Sequence, residues 1–180
     1  MKKRSLMRLV SMVFLFLIVL SCSDKDEDNS FPPYRYPIKI RIEGKSGDDK
    51  INGIPYVHKA ETDQFEVQKS SYTLAVLQTG KPKEQLFLGP LAMQKTDSYN
   101  CLIITSTTLA SPDYRPSQLT HKLVCAHIFG DTNEHTIISD WEEKSLVYNL
   151  CTHIVVDGKT FTATEIDKEG TAVFLVTLDE

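Results

Sequence analysis

The chain has 180 residues, of which 41% are hydrophobic, 24% charged and 9% aromatic. That composition is globular and excludes a disordered, collagen-like or polytopic membrane protein. Twenty Lys and Arg against 24 Asp and Glu give a net charge of −4, and the length allows one domain with appendages.

The first 30 residues differ from the rest. Lys2, Lys3, Arg4 and Arg8 form a basic stretch without an acid, and Leu9 to Leu20 is apolar except for Ser11. That run is roughly a dozen residues, short of the about 20 that a spanning helix needs. Basic flank, short apolar run and small residue form the pattern of a secretory signal. The alternative is a signal anchor left in place, its helix lengthened through Met7 and Arg8.

Val19-Leu20-Ser21-Cys22 follows the run. It resembles the lipobox of bacterial lipoproteins, in which an aliphatic and a small residue precede a cysteine. The resemblance implies that the Cys22 thiol receives a diacylglycerol and that cleavage falls before it, so 1–21 is the signal peptide. Residues 22–33 then form a tether. Ser23 to Ser30 contains Asp24, Asp26, Glu27 and Asp28 against Lys25 and has no apolar residue, so it cannot bury surface and is expected to be disordered. An acidic stretch after the lipidated cysteine is similar to the surface-export signal of Bacteroidota lipoproteins. It implies an outer-membrane protein anchored through Cys22 with its domain on the cell surface; the periplasmic face is the alternative.

Residues 34–180 read as one domain carrying fifteen basic and twenty acidic residues, net −5. No Lys/Arg cluster survives, so nucleic-acid binding and docking on anionic lipid have no electrostatic basis. The prolines of Phe31 to Pro37 favour an extended entry. Ile38, Ile40 and Ile42 alternate with Lys39, Arg41 and Glu43, as in a half-buried strand. After the turn cluster Gly44–Asp49, Ile51 to Val57 is a strand candidate with Asn52-Gly53 as a tight turn or bulge. Phe65 and Val67 alternate with polar residues. Ser71 to Thr79 places Tyr72, Leu74 and Val76 on one face and Ala75 and Leu77 on the other. Leu86 to Leu88 is short. Tyr99 to Thr107 is apolar and β-branched on both faces, which suits a central strand.

Beyond the open loop Ser111–Pro116, Gln118 to Phe129 is the longest regular stretch. His135 to Trp141 and Leu146 to Cys151 are further strands, although Ser139-x-x-Glu142 has capping-box spacing and offers a short helix through Tyr148 instead. Val156-Asp157-Gly158-Lys159 predicts a type I′ hairpin that pairs Ile154 with Phe161 and Thr152 with Ala163. Asp167 to Gly170 turns into a closing strand over 171–178. About ten short strands without intervening helices argue for an antiparallel β-sandwich, immunoglobulin-like or similar, with a small β-barrel as the alternative.

Strong catalytic signatures are missing: no nucleophile elbow, no His-Glu-x-x-His, no Cys-x-x-Cys, no phosphate-cradling glycine loop. No catalytic residue and no cofactor is assigned. Three aromatics are candidate ligand contacts. Trp141 lies between Asp140 and Glu142, as in a sugar-stacking platform with acidic partners. Tyr114, next to Arg115, lies in the open loop. Tyr34 lies at the domain entry. Each also has a plain reading as a core, edge or loop residue. Cys101, Cys125 and Cys151 remain after Cys22, an odd number in an exported chain. The pairs Cys125/His127 and Cys151/His153, with His121, would make a zinc set if their strands were neighbours. The reading taken is free, mostly buried thiols and no metal, with one disulfide as the alternative. The expected function is a lipid-anchored cell-surface binding or accessory module for a glycan, peptide or partner outer-membrane protein. The alternatives are a hydrolase with residues scattered on loops, and an adhesin or assembly subunit acting by strand addition.

Overall fold

A computed structural model describes residues 33–61, 64–78, 86–96, 98–108, 115–145 and 148–179. Twelve strands run in chain order: β1 (Tyr34–Glu43), β2 (Tyr56–Lys59), β3 (Gln64–Val67), β4 (Thr73–Gln78), β5 (Leu86–Leu88), β6 (Ala92–Lys95), β7 (Asn100–Thr108), β8 (Gln118–Val124), β9 (His135–Ser145), β10 (Tyr148–Val156), β11 (Lys159–Ile166) and β12 (Ala172–Thr177). A single helical turn, α1 (Ala126–Phe129), separates β8 from β9. The all-β class expected from the sequence is what the structure has.

The strands bond into one continuous open sheet in the order β2-β3-β6-β7-β1-β12-β11-β10-β9-β8-β4, with β5 also on β7. Every ladder is antiparallel except β1–β12, which is parallel from Lys39↔Val173 to Glu43↔Thr177. The parallel pair joins the first and last strands, so the intervening chain serves as its crossover.

The sheet curls around one core, and strands distant in its order touch through their side chains. Tyr36 of β1 meets Trp141 of β9 edge-to-face at 5.1 Å and 87°. Ser106 Oγ of β7 lies 2.9 Å from His121 Nε2 of β8. The core therefore takes both its walls from one sheet. Period-two alternation decides which residues enter it. Tyr34, Tyr36, Ile38, Ile40 and Ile42 of β1 are all buried, facing Leu102 and Ile104 of β7 and Phe174 and Val176 of β12. On β4, Leu74 and Val76 are half-buried and Ala75 and Leu77 exposed, as their alternation predicts.

The Asp157-Gly158 turn takes the backbone expected of it, with φ of 47° and 85°, and Ile154 pairs with Phe161. Elsewhere the boundaries differ for identifiable reasons. The segment beginning at Ile51 starts as a turn, its Ile51 N–H held by Asp49 Oδ1 at 2.8 Å, and it plugs the core with Ile51 and Ile54. The long stretch from Gln118 stops as a strand at Val124. Cys125 opens α1, and Gly130, at φ 75°, closes it in the left-handed conformation. The helix offered from Ser139 does not form, because β9 continues to Ser145, paired with β8 up to Asp140 and with β10 along its length. β6 is an additional strand, too short to show a period of its own.

Candidate functional site

Of the residues singled out by sequence, Cys22 and Tyr114 lie outside the described residues. Tyr34 is buried, and its hydroxyl accepts a hydrogen bond from Arg115 Nη2 at 2.9 Å while the guanidinium lies 4.0 Å from the ring centroid. Arg115 Nη1 also donates to Glu143 Oε1 at 2.5 Å and to the Ser145 carbonyl at 3.1 Å. This arrangement ties the start of β1 to the end of β9. Trp141 is 8% exposed. Its ring packs on Tyr36, its indole N–H donates to Ser139 Oγ at 2.9 Å, and its backbone N–H donates to the Ser117 carbonyl. Only the remainder reaches a shallow basin of about 580 Å³ lined by Gln118, Asp140, Glu142 and Thr152. There the Asp140 carboxylate is already engaged by Gln118 Nε2 at 2.9 Å and His153 Nε2 at 3.0 Å. Tyr34 and Trp141 are thus both packing residues: Tyr34 holds Arg115, and Trp141 packs on Tyr36, two residues further along β1.

Cys101, Cys125 and Cys151 are free and buried. Burial pushes the Cys101 thiol up to about 11 and the Cys151 thiol up to about 12, and raises that of Cys125. They are thiols, not thiolates, at neutral pH and are poor nucleophiles and metal ligands. The two Cys-x-His pairs do not converge, because β9 lies between β8 and β10. His127 Nε2 instead lies 2.9 Å from the Asn52 carbonyl. A bulge between Cys151 and His153 turns Cys151 into the core, whereas strict alternation would have left it with His153 opposite the apolar face. Among the described residues no three His, Cys, Asp or Glu side chains are grouped as a metal site.

The Ser106–His121 contact is a nucleophile–base pair in kind, unseen in the sequence because 15 residues separate its members. Both side chains have 0% exposure. Burial pushes the imidazole down to about 4, so it stays neutral. Sealed from solvent, the pair is a polar contact of the core and meets no substrate.

The feature best placed to receive a ligand is a groove of about 680 Å³ on the outer face of β3, β6, β7 and β1. Register places Thr107 opposite Arg35, Thr105 opposite Pro37 and Ile103 opposite Lys39, all turned from the core. Gln64 of β3 and Gln94 of β6 line its other side, and Phe65 and Lys95 border it from the strand edge, on the face of Met93. Gly89 lies at the break between β5 and β6. Its N–H donates to the Thr105 carbonyl at 2.9 Å, and a Cβ there would lie only 3.3 Å from that oxygen, so glycine permits the close approach.

The groove's charges divide into paired and unpaired. Lys39 is 5% exposed and donates to Asp167 Oδ2 at 2.5 Å and Glu169 Oε2 at 3.1 Å. Burial alone would raise the Asp167 carboxyl. The Lys39 hydrogen bond and the Thr171 and Glu169 backbone N–H groups outweigh it and hold the carboxyl below its usual range. Arg35 is exposed and, among the described residues, has no hydrogen-bond or ion-pair partner. The Lys95 ammonium lies 4.0 Å from the Tyr56 ring centroid and 5.5 Å from that of Phe65, whose ring also stacks on His58 at 4.7 Å. The sequence carries only a weak signal for this groove: two outward threonines on a strand whose neighbours both continue the sheet. Set against family models, curated proteins and solved structures, the chain matches none.

Proposed function

We propose that this protein is a lipid-anchored binding module of the outer membrane, held by Cys22 and presenting the β3-β6-β7-β1 groove to the cell exterior. The observation that carries the reading is the groove itself: an open, polar concavity on rigid paired strands. A site on strands is positioned more firmly than one on loops. The lipobox and the acidic tether of Asp24, Asp26, Glu27 and Asp28 support the anchoring and the surface location. The groove's occupant is extracellular, a glycan or a segment of a partner protein. The enzymatic reading is weaker: the Ser106–His121 pair is buried, and the exposed Thr152 Oγ1–His153 Nδ1 contact at 3.2 Å joins neighbouring residues, with His153 Nε2 held by Asp140 at 3.0 Å, beside a shallow basin only.

Strand addition has one observation in its favour. β4 ends the sheet, bonds only β8 among the described strands, and reads Thr-Leu-Ala-Val-Leu-Gln without a charge. Such an edge is a template for another strand.

Three measurements test the main reading. In the native host, Cys22→Ser should abolish acylation and membrane retention; detergent-free release of the wild-type protein would contradict the anchor. On intact cells the domain should be cut by added protease. Replacing Asp24, Lys25, Asp26, Glu27 and Asp28 by Ala should leave it anchored but protected, and equal cleavage of both forms would remove the export role of the tether. For the groove, Thr105→Tyr should abolish retention on an array of neutral and acidic oligosaccharides and peptides without changing the melting temperature. Undiminished retention would move the site elsewhere.

A further inference from the structure

This inference rests on the groove being the ligand site. From its charge and hydrogen-bonding inventory we infer that the ligand is an oligosaccharide bearing carboxylates, with Arg35 as the carboxylate anchor. Residues 34–180 are net −5, a charge that disfavours anions over most of the surface. The groove reverses the sign. Its charged lining residues are Arg35, Lys39, Lys95 and Glu169. Lys39 is shared between Asp167 at 2.5 Å and Glu169 at 3.1 Å, and the three together carry −1. Arg35 and Lys95 remain, neither with a carboxylate within 4.0 Å among the described residues. A guanidinium presents its N–H groups as a fork that matches a carboxylate with two parallel hydrogen bonds. Lys95 rests over an aromatic ring, which steadies the ammonium without consuming its N–H donors.

The uncharged surface between these cations favours a sugar over a peptide. Thr105 and Thr107 offer hydroxyls, and Gln64 and Gln94 offer amides. Both groups donate and accept, as sugar hydroxyls do, so a polyhydroxylated ligand finds partners in several orientations. A peptide bound by strand addition needs free backbone groups, yet β7, the strand under the groove, is paired with β1 on one side and with β5 and β6 on the other. The volume of about 680 Å³ falls within the about 300–1,000 Å³ of small-ligand sites.

The test is isothermal titration calorimetry on the full-length chain, purified in a non-ionic detergent. The probes are tri-galacturonate, a hyaluronan tetrasaccharide, maltotriose and hexaglutamate. At least one uronate oligosaccharide should bind more tightly than maltotriose and hexaglutamate, and less tightly as sodium chloride rises. Arg35→Ala should weaken that binding about tenfold or more, and Arg35→Lys should restore only part, since an ammonium lacks the fork. Maltotriose binding as tightly as either uronate would overturn the acidic assignment while leaving the groove as a glycan site. Hexaglutamate binding tightest would overturn the sugar assignment. Undiminished uronate binding by Arg35→Ala would remove Arg35 as anchor. Failure of all four probes at millimolar concentration would overturn this inference, whereas loss of membrane retention or of array binding bears on the proposed function alone.

Discussion

Lys39 and Arg35 occupy the same outward face of β1, four residues apart, and their surroundings are opposite. Lys39 is nearly buried between two carboxylates, while Arg35 is exposed and, among the described residues, unpaired. Strand, face and charge are shared, so the difference is not local. The β1–β12 ladder begins at Lys39↔Val173, and the turn leading into β12 carries Asp167 and Glu169 to Lys39, 128 and 130 positions away in sequence. Arg35 lies beyond the end of that ladder, opposite Thr107. A cation enclosed by the fold's own carboxylates holds the sheet together. A cation just outside their reach has, among the described residues, no such role in the fold.

Breaking the enclosed cation should have the largest effect. Lys39→Ala leaves Asp167, whose side chain is only 18% exposed, without its counter-charge and should cost about 3 kcal/mol in chemical denaturation. Replacement of both partners, Lys39→Met with Asp167→Leu, should recover much of that loss, and a double variant no better than Lys39→Ala would show that the pair stabilises beyond its own desolvation. The pH dependence has a definite sign. Asp167 titrates below its ordinary value of 3.8 in the fold, so its contribution is complete above that pH and disappears as pH falls through the depressed value. Acid unfolding of Asp167→Asn should accordingly be less steep than that of the wild type below about pH 4.

Gly158 comes next. Its φ is +85° and a Cβ there would meet nothing within 4 Å. Gly158→Val should therefore cost about 1–2 kcal/mol through backbone strain alone, and Gly158→Asn much less. Equal melting temperatures for the two variants would contradict the type I′ turn.

That hairpin shows what the sequence makes legible. Asp157-Gly158 and the alternation of Ile38, Ile40 and Ile42 are local signals, and both appear in the fold at their expected positions. The parallel β1–β12 ladder, the bulge that turns Cys151 inward and the Ser106–His121 contact depend on which strands become neighbours, and no local period encodes that. The same limit hid the groove. Arg35, Thr105 and Gln94 are unremarkable one at a time, and only the β6-β7-β1 order places them on one surface. Trp141, conspicuous as the sole tryptophan, has most of its ring occupied by the core.

A smaller electrostatic effect belongs to His135, which lies 2.7 Å from Asp157 and 3.1 Å from Asp131 and stacks on Phe129 at 3.6 Å. Burial alone would lower the imidazole pKa; hydrogen bonds to Asp157 and Asp131 outweigh it, and the value is raised above 6.5. The stabilisation is complete below pH 6.5 and is lost as pH rises through the raised value. The two carboxylates are nearly half exposed, so the electrostatic part amounts to about 0.5 kcal/mol. His135→Gln should be less stable than the wild type at pH 5.5, with the gap narrowing at pH 9; a constant gap would assign the effect to packing alone. Smallest of all should be the stability change in Arg35→Ala, within about 0.5 kcal/mol of the wild type, even as uronate binding weakens about tenfold or more.

The most direct measurement is a titration of the isotope-labelled protein with tri-galacturonate, followed by nuclear magnetic resonance of backbone amides and arginine Nε–Hε groups. The account predicts that the Arg35 Nε–Hε signal and the amides of residues 103–107 move together and saturate at one equivalent. Shifts confined to the Trp141 indole and residues 117–118 and 140–142, with the Arg35 signal unmoved, would contradict it.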